Sequence, residues 1–538
     1  MASAANRLPG NRRGTASPAP PAPADGSATP VRYRGLLTIG VMAATVMQIL
    51  DSTIANVALP HMQSALGATA DTITWVLTSY IVASAIAIPV TGWLSDRFGS
   101  RNLFLVAVAG FVLASMLCGI ATSLPEMVGF RLLQGLFAAF MNPLSQTVML
   151  DINPPEKQAR AMSIWGMGIM VGPIMGPLLG GWLTDNYNWR WCFYVNVPVG
   201  ILCFAILWAL LPSRPIRKRR FDAFGFTTLA LALAGFQFML DRGQTLDWFT
   251  SWEVRIEALV ALSCGWMFVV HMWTAEHPMF ERALLTNRNL IMGLGFMIVV
   301  GVLMFATMAL LPPMLQRLFG YPVLDAGALL MPRGIGVVIS MAIAGQAIQR
   351  RADPRILVGV GLAIATFSLW QMTQWTLSMA ASEFILTGFI QGLGMGLVFI
   401  PLNLLAFSTL GPQHRTEAAS LMNLFRNIGA SAGISIVTAL LAQNVQTSHE
   451  ELGGHVTAYS VSAIDPGISA VAGSAGQAVM AMLDGEVNRQ AAMIAYLDDF
   501  KLMMILTVVA IPLVLLLQRP KRSPVAAKGD DMPHVAMD

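Results

Sequence analysis

Residues 50–60 read LDSTIANVALP. The stretch lies inside an apolar run that begins near Gly35, which places Asp51 a full helical span into the first hydrophobic segment. A carboxylate at that depth costs about 2.5–3.5 kcal/mol on insertion scales, so a chain rarely keeps one there for packing alone. Such a group faces a bundle interior or a wet cavity, and it stays neutral until water or a cation reaches it. Asp51 is therefore expected to be the titrating centre of a transporter. The blander alternative is a helix-end Asp that caps or snorkels to an interface.

Composition agrees with a membrane setting. The 538 residues are 55% hydrophobic and 12% charged, with a mean hydropathy of +0.62, whereas soluble domains carry about 25% charged residues. At about 20 apolar residues per crossing, the chain divides into fourteen spans: 35–61, 72–94, 102–121, 125–149, 160–184, 193–211, 223–241, 253–275, 289–314, 326–349, 355–378, 383–409, 418–443 and 499–518. The expected fold class is an all-α polytopic membrane protein. Residues 1–34, rich in Pro, Ala, Ser and Arg, read as a disordered cytoplasmic tail and not as a signal peptide. Residues 519–538 read as a second cytoplasmic tail.

Most of the 33 Lys and Arg fall in one alternate set of tails and loops; the other side holds Arg190, Arg242, Arg317 and Arg489. That asymmetry orients both termini to the cytoplasm. Arg214, Arg217, Lys218, Arg219 and Arg220 form a basic joint after span 6, best read as a topology anchor. One external loop is long, 444–498, with an Asp465-Pro466-Gly467 turn and a helical stretch from Gln477 to Tyr496. Its length marks it as a docking surface, with a floppy linker as the alternative.

Several chemistries find no support. The cysteines Cys118, Cys192, Cys203 and Cys264 have no metal spacing, so no metal site is expected. The absence of a phosphate-binding loop argues against an ATP-driven pump. The seven histidines do not cluster, and His271 reads as interfacial. With no Ser/His/Asp constellation, the chain is not expected to be an enzyme, to bind a cofactor or to bind nucleic acid.

Two halves align at a nearly constant offset. Gln134-Gly135 matches Gln391-Gly392, Gly172 and Gly176 match Gly429 and Gly433, and Gly92, Arg97 and Arg101 match Gly345, Arg350 and Arg355. The physical reading is two six-helix bundles, 35–211 and 289–518, rocking about a site between them. The segment 212–288 is then a linker that carries two inserted helices.

The motifs sit at matching places in this plan. GWLSDRFGSR (Gly92, Asp96, Arg97, Gly99 and Arg101) reads as a tight cytoplasmic turn whose arginines bind an acidic partner or a helix C-terminus, gating one conformation. FRLLQGLFAAF carries Arg131, whose candidate partners are Asp51 and Glu126. Gly168, Gly172, Gly176 and Gly180, followed by Gly181, leave one face of span 5 bare, and Pro173 and Pro177 bend it. That face is expected to meet the other half of the chain. In WRWCFYVNVPVG the tryptophans suit an interfacial belt, and Asn196 and Pro198 are read as fixing an external turn. Met47, Gln48, Met141 and Asn142 are the candidates for lining a substrate pocket.

Together, LDSTIANVALP, the Gly92–Arg101 turn, RLLQG, the Gly-Pro-rich span 5, WRWCFYVNVPVG and LDRGQTLDWF (240–249) resemble the major facilitator superfamily. More narrowly, they resemble its fourteen-helix drug:proton antiporters of the EmrB/QacA type, on the EmrB side. The resemblance covers residues 35 to 518. It implies proton-driven export of small hydrophobic, drug-like compounds across a bacterial inner membrane, without a cofactor. It also implies roles for Asp51 and Arg131 in proton coupling and for Gly168–Gly181 as the antiporter motif. The EmrB branch further implies a periplasmic adaptor and an outer-membrane channel as partners. The chain departs from the QacA branch in having few acidic residues in its second half, with Asp325 and Glu383 near span ends. An exporter dedicated to one metabolite or antibiotic has the same mechanics, and a non-transporting membrane scaffold is the alternative from another class.

Overall fold

The computed structural model describes residues 31, 33–213, 216, 219–455 and 474–518. Residues 1–30 and 32 of the first tail, the second tail, three residues of the basic joint (Arg214, Arg217 and Lys218) and the Asp465-Pro466-Gly467 turn lie outside the described residues. Described secondary structure is helical throughout, without a strand.

The first half holds α1 (Arg34–Ala65), α2 (Trp75–Phe98), α3 (Ser100–Ile120), α4 (Leu124–Asp151), α5 (Pro155–Asn186) and α6 (Trp191–Leu210). An inserted pair follows, α7 (Ala223–Arg242) and α8 (Trp252–Thr274). The second half holds α9 (Arg288–Arg317), α10 (Val323–Gln349), α11 (Pro354–Met372), α12 (Ala381–Phe407), α13 (Arg415–His455) and α14 (Ser474–Leu513). Thirteen of these are long and apolar enough to cross a bilayer. The remaining one, α4, falls short on apolarity because it carries Arg131, Gln134, Asn142, Ser145 and Gln146, all buried. Hydropathy discounts α4 for the residues that line the bundle interior. At 28 residues it is about 42 Å long, ample for a span.

Glycine contacts repeat from half to half. A Cβ on Gly172 would stand 2.6 Å from Ile49, and one on Gly176 would stand 2.7 Å from the Thr53 Cβ; in the second half Gly429 meets Ile298 and Gly433 meets Val302. Gly135 lies against the Tyr80 carbonyl, and Gly392 against that of Arg333. Arg101 donates to the Trp208 carbonyl (2.6 Å) near the end of α6, as Arg355 does to the Leu517 carbonyl (2.9 Å) just past α14. In both halves an arginine at the start of a helix thus satisfies a carbonyl orphaned at a helix end.

These contacts correct one expectation. The glycine face of α5 does not meet the other half: Gly168, Gly172, Gly176 and Gly180 pack on Met42, Ile49, Thr53 and Val57 of α1. Gly429 and Gly433 likewise pack on α9 within their own half. Equivalence of two motifs under a repeat says that each does the same job in its own bundle, and it does not make them partners. The face of α5 that does cross to the second half carries Ser163, Gly166 and Ile174, against Gly345, Met341 and Gly334 of α10. At the symmetric place Gly92 lies against Glu417 of α13. Gly181 faces open space, and α5 continues as helix through Pro173 and Pro177.

The inserted pair bridges the halves on one side. Asp241 of α7 accepts from Thr78 of α2, while the Leu240 carbonyl accepts from Ser435 of α13 at 2.8 Å. Helix α8 lies outermost, with Trp252, Leu262 and Trp266 more than 70% exposed, as suits a face turned to lipid. The segment 444–498 also differs from the expected loop. Its described parts are continuations of α13 to His455 and of α14 from Ser474, tied by His449 to Asp484 at 3.1 Å.

Candidate proton-coupling site and basic-end latch

Asp51 lies seventeen residues into α1, about 26 Å from its start. Its side chain and that of Arg131 are both fully buried, and Arg131 Nη1 is 2.7 Å from Asp51 Oδ2. The other carboxylate oxygen, Oδ1, accepts from Gln134 Nε2 (2.9 Å) and Asn196 Nδ2 (2.7 Å). Ser115 Oγ on α3 accepts from the same two amides, at 2.7 and 3.3 Å. Arg131 Nε donates to the Val76 carbonyl of α2 (3.1 Å), Nη1 also donates to Gln134 Oε1 (2.7 Å), and the guanidinium lies 4.3 Å from the Tyr80 ring centroid. Five helices of the first half thus converge on one carboxylate. Nη2 of Arg131 has no hydrogen-bond partner among the described residues.

Sequence left Arg131 with two candidate partners, and the structure gives it Asp51. Glu126 turns instead to Thr122, accepting from its backbone N–H and hydroxyl. Asn196 is not an external turn residue. The short helix Trp191–Tyr194 carries the chain inward, so that Asn196 opens the body of α6 and its amide reaches Asp51. Its tryptophan-rich neighbours drew the reading toward the interface. Gln134 carried a legible signal, since three residues from Arg131 is one helical face.

The Gly92–Arg101 turn lies at the end of the bundle that also carries the basic joint. Gly99 adopts φ 85°, the left-handed region that lets α2 turn sharply into α3. Asp96 is 3.4 Å from Arg219 Nη1, and the same nitrogen pairs with Glu417, a buried carboxylate of α13. Trp93 donates to the Arg219 carbonyl at 3.3 Å. Arg415 of α13 pairs with Asp151 of α4 at 3.1 Å. The two halves are thus latched at this end through one arginine of the linker and one of α13. Arg97 is exposed and Arg101 caps α6, so neither joins the latch. Glu417 and Arg219 were not read from sequence as partners, because only the fold brings a linker residue to the first turn of α13.

Of the pocket candidates, Met47 and Met141 are fully buried, with Met47 packed near Gly200 of α6, and Asn142 is buried. Gln48 lies beside Tyr80.

Comparison with known proteins places this geometry. Residues 41–434 match the model of the Major Facilitator Superfamily. Multidrug export protein EmrB of Haemophilus influenzae is 38% identical over 433 residues, 79% of this chain and 84% of that protein. Fatty acid resistance protein FarB of Neisseria gonorrhoeae is 35% identical over 496 residues, 90% of this chain and 96% of that protein. The solved structure of the proton:xylose symporter XylE superimposes with a TM-score of 0.55 at 12% identity, over 90% of this chain and 99% of that one. That likeness concerns the fold alone. With a family model over most of its length and such relatives across 79–90% of it, the chain is a multi-pass membrane protein that belongs to the major facilitator superfamily, in its EmrB-type branch.

Proposed function

We propose that the chain is a proton-driven antiporter exporting small hydrophobic compounds, with Asp51 as the group that takes up and releases the proton. The observation that carries this reading is the buried Asp51–Arg131 pair, fully removed from solvent and centred in five helices. Ionised, Asp51 holds α1, α4 and α6 together through Arg131, Gln134 and Asn196. Protonation removes the negative partner and leaves Arg131 an uncompensated buried cation, which favours a rearranged bundle. Helix α1 is packed on α5, and α5 on α10 of the second half, so a shift of α1 is passed across the interface. Substrate and proton need only favour opposite sides of the same equilibrium.

In this reading the latched end and both termini face the cytoplasm of a bacterial inner membrane, and the excess of basic residues at that end supports the orientation. The latch then supports reading this conformation as closed to the cytoplasm. The energy source is the proton gradient, and no cofactor takes part. The names of the relatives, multidrug export and fatty acid resistance, supply drug-like apolar compounds as the cargo class.

Helix α13 has 41 residues, about 61 Å, against a hydrocarbon core of about 30 Å. We place a periplasmic adaptor, leading to an outer-membrane channel, on the paired ends of α13 and α14. Replacing 444–498 by a short linker should abolish adaptor pull-down while proton-coupled uptake in inverted vesicles persists; capture by the shortened protein would move docking elsewhere.

The test of the main reading is Asp51→Asn in proteoliposomes with an imposed pH gradient. Asn fills the same space but does not titrate, and its one carbonyl oxygen can accept on only one of the two sides where Asp51 accepts. Gradient-driven dye transport should be lost while the protein stays folded. Full active transport by this variant removes Asp51 from the mechanism.

A further inference from the structure

We propose that Arg426, at the seam between the halves, is the residue that reads the charge of the cargo, holding the anionic head of an amphipathic organic acid once the halves part. The assignment rests on the transport reading above and deepens it.

A crevice lies where the two halves touch on their symmetry axis. Gln146 Nε2 donates to Asn403 Oδ1 at 2.6 Å, and these residues are 257 positions apart, the spacing that relates Gln134 to Gln391. Repeat-equivalent residues touch each other only on the axis that relates them. Asn423 Nδ2 reaches Gln146 Oε1 at 3.3 Å, so amides from α4, α12 and α13 meet there.

Arg426 stands one turn beyond Asn423 and lines the same crevice. No carboxylate among the described residues pairs with it, and its Nε is buried without a hydrogen-bond partner. Arg131 is compensated by Asp51 and Arg415 by Asp151, and Arg333, which also lacks a carboxylate, donates to the Leu303 and Met304 carbonyls, whereas no described residue accepts a hydrogen bond from the Arg426 side chain. An uncompensated guanidinium inside a membrane bundle is costly, and such residues mark substrate or ion pathways. Its fork matches a carboxylate in two-point geometry.

The rest of the wall suits an apolar body. Trp165 of α5 and Phe399 of α12 stack across the interface, with centroids 6.4 Å apart and planes at 18°. Met297 and Met422 complete it with adaptable thioethers. A neutral ligand leaves Arg426 unpaired, and a cation meets like charge. In this conformation the crevice is closed even to a water molecule, whereas pockets that take drug-sized ligands hold roughly 300–1,000 Å3. A cargo therefore reaches Arg426 only as the halves part.

The test uses the full chain in lipid nanodiscs and isothermal titration with 2-naphthoate, its neutral isostere 2-naphthamide and the cation 2-naphthylmethylammonium, with empty nanodiscs subtracted. Wild type should prefer naphthoate over the amide by about tenfold or more. Arg426→Gln should erase that preference, and Arg426→Lys should keep part of it, which separates lost recognition from lost folding. Trp165→Leu should weaken acid and amide together. Equal affinity for acid and amide in wild type, a preference that survives Arg426→Gln, or unchanged binding in Trp165→Leu would each overturn the assignment. Asp51→Asn biases the conformational equilibrium and so moves acid and amide affinity together, leaving the ratio between them as in wild type. Its transport failure tests the coupling mechanism, and the acid-over-amide gap tests this site.

Discussion

The two halves of the molecule share a backbone plan and differ in charge. Gly172 and Gly176 meet Ile49 and Thr53 as Gly429 and Gly433 meet Ile298 and Val302. In that register Val300, buried, stands where the first half has Asp51. By the spacing that relates Gln134 to Gln391, Gly388 stands where the first half has Arg131. Arg333 takes the place of Tyr80, and among the described residues it donates only to the Leu303 and Met304 carbonyls. The helix contacts were kept because a Cβ at those glycines would strike a neighbouring helix. The charges were free to diverge. One half holds a closed, carboxylate-centred network, and the other holds arginines that no described carboxylate neutralises.

The largest expected effect follows from that contrast. Arg131→Met strands a buried carboxylate, and breaking a buried pair by removing one partner costs about 3–5 kcal/mol. Arg426→Met removes a cation that has no partner, so it should leave the melting temperature unchanged or raise it. The double variant Asp51→Asn, Arg131→Met should recover most of the loss, since neither charge is then stranded. Thermal melts in detergent check all three. If Arg131→Met and Arg426→Met melt alike, the two halves do not differ in the way their geometry implies.

A smaller effect separates contacts within a half from contacts between halves. Gly176→Leu drives a side chain into Thr53 of α1, inside the first bundle, and overpacking of this kind costs about 1–3 kcal/mol. It should lower the melting temperature. Gly345→Leu strikes Ser163 across the interface, so each bundle stays intact while the fit between them is lost. Turnover should fall with little change in melting. Equal melting losses in both would mean that the interface is as much a part of the folded core as the bundle interior.

How much of this was legible in the sequence depends on the range of the interaction. Span positions, the repeat and the depth of Asp51 are periodic or local features, and they are carried by apolar runs and recurring glycines. The Asp51–Arg131 pair was within reach, because a buried arginine in a low-dielectric bundle needs a carboxylate and few were available. The partner of the α5 glycines was not, since a bare helix face says that a neighbour comes close without saying which. Asn196 and Glu417 lay at apparent span ends, where a polar residue needs no special explanation; only tertiary placement brings each to a charge. Gln146, Asn403 and Asn423 drew no notice because single amides in long spans carry little signal until the axis brings them together.

The smallest effect belongs to the basic end, where Arg219 and Arg415 join the halves by charge. Arg219 is about a quarter exposed, and its partner Glu417 is buried. A partly wetted pair is worth less than the Asp51–Arg131 pair, on the order of 1 kcal/mol. Arg219→Gln should therefore shift the balance toward opening at the basic end by roughly fivefold. Two terms act in the same direction: the bridge itself is lost, and Glu417 is left facing Asp96, both having been held by the same guanidinium nitrogen. Glu417→Gln should open that end by less, because Arg219 keeps Asp96. The double variant should add little to Arg219→Gln alone, since both changes remove one bond. Spin labels at Glu156 and Gln413, both exposed and one on each half, report the separation by pulsed EPR, with the partly exposed Cys264 replaced by Ser. A distance distribution unchanged in Arg219→Gln and still unchanged when Arg415→Gln is added, which also removes the contact to Asp151, would mean that apolar packing between α5 and α10 holds the end closed and that the ionic contacts only decorate it.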